Sequence, residues 1–180
     1  MWESDLSGWI PDWRPAHEHR ARTTPELRTL VGRRITATWV VWDPDDDSWF
    51  SDAPVVLVLD DGRHLELCWQ EFDELSVSWN TVDVTVTPTW SESTLAWRRD
   101  APAQLEAVVG AVVTDLAWTE HQLVISRSRW WRRDGGVSWL VGGLWIGTDA
   151  GGVLVYDALD ENGLADALPA PGREHRVHPF

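Results

Sequence analysis

Two stretches of the chain repeat one pattern of apolar positions. Leu27, Leu30 and Val31 fall at i, i+3 and i+4, the spacing of one helical face, and Gly32 follows them. Leu105, Val108 and Val109 repeat that spacing before Gly110, a shift of 78. A glycine in this place ends a helix in the left-handed conformation, so each stretch is predicted as a short helix handing over to a strand. After Gly32, Ile35, Ala37, Trp39 and Val41 alternate with Thr36, Thr38 and Val40, the period of a half-buried strand.

The next segment, VVLVLDDGRHLELCW, reads as a hairpin about a two-residue turn at Asp61-Gly62. Leu65, Leu67 and Trp69 then take the core phase, and His64, Glu66 and Cys68 the other. Leu75, Val77 and Trp79 alternate again. At Asn80 the phase slips to Val82, Val84 and Val86, which predicts a bulge or turn there. The second stretch continues with strand candidates at 111–118, 123–128, 137–141, 144–146 and 153–156, and turns at 134–136 and 149–151. Residues 156–168 are expected to close with a short helix. A looser similarity, LELCWQEFDEL against GVLVYDALDEN, sets Trp69 opposite Tyr156, Phe72 opposite Leu159, Asp73 opposite Asp160 and Glu74 opposite Glu161.

The fold class expected is therefore mainly β. It is a duplicated antiparallel β unit forming a curled sheet, small barrel or sandwich, each copy led by a short helix. The boundaries read as an N-terminal arm (1–22), a first repeat (23–88), a linker (89–100), a second repeat (101–168) and a C-terminal tail (169–180). Both ends carry Pro, His and charge without periodicity.

Composition narrows the chemistry. All 15 basic residues are arginine, which removes Schiff-base lysines and the phosphate-gripping lysine of a P-loop. Cys68 is the only cysteine, so no internal disulfide and no Cys-rich zinc site can form. Fifteen tryptophans, each able to bury about 200 Å², are expected mostly in the core and between subdomains. The start has acidic residues where an export signal needs basic ones. The longest charge-free run, 135–148, is shorter than the ~20 apolar residues of a spanning helix. A soluble, cytoplasmic protein is expected, with no membrane partner. Nothing in the pattern specifies an oligomeric state.

Catalytic signatures such as GxGxxG, GxSxG and HExxH are missing. Cys68 and His64 share a strand face but lie about 13 Å apart, too far for direct activation, so Cys68 is read as a packing residue. His17, His19, His175 and His178 make a zinc site only if the two ends meet. Asp43, Asp45 and Asp47 have the first three spacings of a calcium loop. Ser48 then stands where glycine is needed, and Pro54 where a bidentate Glu belongs. The runs WRRD (97–100) and WWRRD (130–134) are read as cation–π packing rather than a nucleic-acid surface, because the net charge is −14. No catalytic residue, cofactor or metal ligand is assigned.

Charge distribution carries the functional expectation. Residues 41–96 hold 13 acidic residues against one basic, net −12, nearly the whole excess. Such a field attracts basic partners. The expected function is a non-enzymatic acidic binding protein docking a basic protein partner, concretely a toxin-neutralising immunity or inhibitor protein. Its docking surface is expected at Asp43, Asp45, Asp46, Asp47 and Asp52 beside Trp49 and Phe50, extended by Glu71, Asp73 and Glu74. The alternative is a small-ligand-binding protein or hydrolase with its pocket between the two repeats.

Overall fold

A computed structural model of the chain describes residues 6–90, 93–124 and 137–180. Among them the chain is mainly β, in two antiparallel sheets and one two-stranded ribbon. The first sheet opens with β1 (Trp13–Pro15), which leads into helix α1 (Ala16–Leu27) and a 3-10 turn (Arg28–Leu30). Then come β2 (Ile35–Asp43), β3 (Ser48–Trp49), β4 (Val55–Leu59), β5 (His64–Gln70) and β6 (Glu74–Trp79). β7 (Thr89–Trp90) and β8 (Ser93–Thr94) form the ribbon, and β9 (Ala96–Arg99) returns to β2. A four-residue helix α2 (Ala103–Glu106) precedes the second sheet: β10 (Val113–Val124), β11 (Val137–Thr148), β12 (Gly151–Asp157), β13 (Asn162–Ala165) and β14 (His175–Pro179). The sheet orders are β1-β6-β5-β4-β2-β3, with β9 beside β2, and β13-β12-β11-β10-β14.

The segments after the two helices meet one another. Gly32 N donates to Val113 O (2.8 Å) and Gly110 N to Ile35 O (2.7 Å). Val113 N donates to Arg33 O (2.8 Å) and Ile35 N to Ala111 O (3.0 Å). Both glycines are left-handed, at φ 86 and 84. A register shift follows on each side, between Ile35 and Ala37 in β2 and between Val113 and Asp115 in β10.

One core fills the space between the sheets. Leu57, Leu65, Leu67 and Trp69 of the first sheet pack in one cluster with Leu116, Trp118, Ile146 and Val155 of the second. Leu27, Leu30, Leu105 and Val108 close it, all within 1 % of fully buried. Asn162 joins the sheets by polar contacts. Its Oδ1 accepts Trp69 N (2.8 Å), and its Nδ2 donates to Ser51 O (2.7 Å) and Ala53 O (2.9 Å). These three bonds satisfy a side chain only 2 % exposed, which is the condition for burying an amide without penalty, and the backbone N of Asn162 adds a fourth contact to Ser51 O.

The outer face of the first sheet is sealed by the chain itself. Leu6, Val41, Ala53 and Leu95 form a second apolar cluster there, with Trp9, Phe50 and Trp97 against it. Glu66, 1 % exposed, accepts from Ser78 Oγ (2.6 Å), Thr81 N (2.6 Å), Thr81 Oγ1 (2.5 Å) and Val82 N (2.8 Å). The N-terminal stretch closes over that turn: Asp83 N donates to Ser7 O and Ile10 N to Thr81 Oγ1.

Several local expectations are corrected. The segment read as an arm is β1 and much of α1, whose buried face is Ala16, His19 and Leu27. The segments read as linker and tail contain β9 and β14. The hairpin loop is three residues long, with Gly62 N donating to Leu59 O and only Gly62 left-handed, a turn followed by a glycine bulge. Asn80 does turn the chain, at φ 59, but no strand follows through Val82–Val86, because Glu66 draws Thr81 and Val82 off the ladder. Residues 156–168 carry strand β13 where a helix was expected. Tyr156 lies on the opposite face of its strand from the core residues Val153 and Val155, so it does not share the core role of Trp69. Among the tryptophans whose side chains are described, Trp69 and Trp118 are fully buried and Trp9, Trp13, Trp39, Trp42, Trp49, Trp79, Trp97, Trp139 and Trp145 are half-buried. The turn at 134–136 and the run WWRRD lie outside the described residues. Among the described residues no helix is long and apolar enough to cross a membrane.

Candidate functional site

Sheet topology decides where the acidic residues go. β2 and β5 both run antiparallel to β4, so their C-terminal ends leave the same end of the first sheet. That end therefore carries the β2–β3 tip, with Asp43, Asp45, Asp46 and Asp47, and the β5–β6 turn, with Glu71 and Asp73, before Glu74 opens β6. Asp52 precedes β4 at the same end. The Asn162 contacts bring in the β12–β13 turn, adding Asp157, Asp160 and Glu161.

The expected surface is part free and part structural. Asp45 and Asp46 are exposed, and the Asp43 carboxylate caps both their N–H groups. Asp47 accepts from Trp42 Nε1 (3.0 Å) and Arg98 (3.2 Å), and the Arg98 guanidinium lies 3.9 Å from the Trp42 ring centre. Cation–π packing thus explains the first WRRD run, with Arg99 also over Trp39 at 6.0 Å. Trp49 and Phe50 are not exposed anchors. Trp49 packs on the inter-sheet core and Phe50 on the outer cluster, so the two serve opposite faces of one sheet.

The exposed apolar side chains are elsewhere. Phe72 is 50 % exposed on the β5–β6 turn, and Leu159 is 79 % exposed on the β12–β13 turn. Sequence reasoning assigned neither, nor the Asp157, Asp160 and Glu161 carboxylates, although the FDEL and LDEN similarity set these two turns side by side. Burial pushes the Asp157 carboxyl up to about 6, against the backbone N–H groups of Leu159 and Asp160; Asp160 and Asp73 add repulsion. Burial likewise raises Asp52, helped by Glu161 and Asp160. Among the described residues no arginine pairs with either of them.

Phe72 and Leu159 stand at the rim of a cleft of about 560 Å³ on the outer face of the second sheet. Glycines on the central strand β11 make its floor. A Cβ at Gly143 would sit 2.8 Å from Thr119 Oγ1 and 2.9 Å from Leu154 Cδ1, so only glycine lets those two side chains lean together. Gly142 gives the same room to the His121 ring. Tyr156 lies over Gly163 in the same way, and Leu168 and Pro169 form a wall. His121 and His175, partners across β10 and β14, bound the far side. Burial lowers the His121 pKa, and His175 lowers it further. Glu120 is held from behind by Arg20, by His178 (2.8 Å) and by Arg176 (3.9 Å).

The space between the sheets, where a pocket was expected, is filled by core side chains. Cys68 is 1 % exposed and its thiol is pushed up to about 12 by burial, which leaves it unreactive. The four terminal histidines do not gather. His17 is exposed, His19 Nε2 donates to Asp12 O (2.8 Å), His175 borders the cleft and His178 meets Glu120. Comparison with protein-family models, with curated proteins and with solved structures found no match to this chain.

Proposed function

We propose that this chain is a non-enzymatic acidic binding protein that docks a basic protein partner, the work done by a toxin-neutralising immunity or inhibitor protein. The observation that carries this reading is the pair of neighbouring turns in which exposed Phe72 and Leu159 are ringed by Asp73, Asp157, Asp160 and Glu161. Apolar anchors within a charged rim are the general form of an interface hot spot. The raised Asp52 and Asp157 carboxyls mark a negative field left unneutralised by the described residues. A partner's arginines or lysines would neutralise it, adding both steering and affinity. The anchors are Phe72 and Leu159 rather than Trp49, and the tip residues Asp45 and Asp46 extend the rim.

Affinity capture tests this with the wild-type chain and two variants as bait, one Asp52→Asn/Asp160→Asn/Glu161→Gln and one Phe72→Ser/Leu159→Ser. A basic protein held by wild type, lost from both variants and released as salt rises past about 0.3 M is expected, since exposed charges are then screened within a few ångströms. A captured set identical for all three baits overturns the reading.

The two sheets are further read as copies of one duplicated unit, each led by a helix. Three things support this: the reciprocal hydrogen bonds of residues 32–35 with 110–113, the left-handed glycines, and the register shift at the same place in β2 and β10. Carried across the strand pairs from Ile35–Leu59 and Val113–Thr148, the correspondence sets His64 against Gly152, Glu66 against Leu154 and Trp69 against Asp157. The sequence similarity that paired Trp69 with Tyr156 is thus displaced by one residue.

A further inference from the structure

The cleft above β11 is concave, apolar along most of its length, and within the size range of small-molecule sites. Its polar groups sit at two ends. The Asp157 carboxylate, half-buried at the end of β12, accepts one hydrogen bond from Leu159 N (2.9 Å). Its charged neighbours, Asp160 and Asp73, are of the same sign. Two strands away, roughly 10 Å by strand spacing, stands the His121 imidazole, and His175 lies one strand further on β14. Between them the floor offers Leu154, Thr119 and the face of Tyr156. A ligand fitted to this lining has an apolar body, few hydrogen-bonding groups, and a positive charge at the Asp157 end. A carboxylate ligand would meet three like charges there, and a sugar would find too few partners for its hydroxyls.

We propose that the cleft is a binding site for a small amphipathic amine, its apolar body over the β11 glycines and its protonated nitrogen on Asp157. The cleft shares Asp157, Phe72 and Leu159 with the proposed docking rim, but the proposal does not depend on the docking of a protein partner. Binding needs no bond-making step. The ammonium replaces water at a carboxylate that the described residues leave without a cation, and the apolar body leaves water for the trough.

Calorimetric titration with three naphthalene probes of one size tests the assignment: 2-(2-naphthyl)ethylamine, 2-(2-naphthyl)ethanol and 2-naphthylacetic acid. One amine per chain is expected, bound at least about tenfold more tightly than the alcohol, as an ion pair out of bulk water provides, with no saturable binding of the acid. Asp157→Asn, which keeps an acceptor for Leu159 N, is expected to bring the amine down to the level of the alcohol and leave the alcohol unchanged. Ala165→Phe, which fills the trough from β13, is expected to abolish both. Leu168→Trp serves the same purpose if a thermal melt shows Ala165→Phe to be unfolded. Equal binding of amine and acid overturns the proposal, as does amine binding indifferent to Asp157→Asn or to a folded trough-filling variant, or no saturable amine binding at all. A failure here leaves the affinity-capture result on Phe72, Leu159 and the acidic rim standing, because that experiment uses different variants and a different ligand.

Discussion

The outer faces of the two sheets have opposite fates. On the first, Glu66 is buried under residues 78–82 and takes four hydrogen bonds, and Leu6, Val41, Ala53 and Leu95 pack above the neighbouring strands. On the second, Leu154 floors an open cleft. The difference comes from the connections rather than the strands. Residues 6–12, 80–90 and 93–97 fold back over the first face, while on the second residues 165–169 form only a wall beside the glycines of β11. A face closed by the chain's own segments supplies stability; a face left open has room for a partner or ligand. Substitutions on the two faces should therefore divide between loss of stability and loss of binding.

The largest effect is expected at Glu66. Glu66→Ala orphans Ser78 Oγ, Thr81 N and Val82 N beneath the cover, and at 1–3 kcal/mol for each unmade buried bond a loss of about 3–4 kcal/mol is expected by denaturant unfolding, with partial relief from water entry. Next comes the joint between the sheets: Asn162→Ala strands Trp69 N and two carbonyls and is expected to cost about 2–3 kcal/mol. A variant of either residue as stable as wild type would break the distinction between sealed and open faces.

On the open face the sign reverses. The folded Asp157 carboxyl sits at about 6, above its value of 3.8 in an unfolded chain, so its charge opposes folding above pH 6 and the cost disappears as pH falls towards 4. Asp157→Asn is therefore expected to stabilise the protein at pH 7.5 by about 1 kcal/mol, discounted because half the group is in water, and by nothing near pH 4. Comparing melts of the two proteins at both pH values isolates Asp157 from His19 and His121, whose depressed pKa values oppose it in both proteins alike. The smallest effect is expected at the rim, where Phe72→Ser and Leu159→Ser each change stability by less than about 0.5 kcal/mol. A larger loss at either would mean that these exposed side chains hold the fold together.

What the sequence revealed of this arrangement followed from periodicity. The strand from Ile35 and the core phase of Leu65, Leu67 and Trp69 each require one local pattern and lie where that pattern put them, although the bulge after Ile35 sends Val41 to the outer cluster. Of the two trios only Leu27 and Leu105 lie in α-helices, and Val31 is exposed. α1 escaped because its buried face includes His19, which is 0 % exposed, so a polar residue concealed the apolar stripe. β9 and β14 escaped because short strands depend on the partner they pair with, which lies far off in sequence. The acidic run of residues 41–96 was legible as charge, but which apolar side chains beside it are exposed was not. Aromatic content pointed to Trp49 and Phe50, and only the packing shows that Trp49 supports the core while Phe72 and Leu159 stand in solvent. Asp157, Asp160 and Glu161 sit about ninety positions from their acidic neighbours, and the contacts of Asn162, with Ser51 Oγ donating to Glu161, draw them together.

The most direct measurement is amide hydrogen exchange along the chain, free and with its captured basic partner. Slowed exchange confined to residues 70–74 and 157–162, with 80–90 and 93–97 unchanged, is the expected result. Protection centred on 80–97, over the sealed face, or no protection at the Phe72 and Leu159 turns, would contradict the assignment of the open acidic face as the surface that binds.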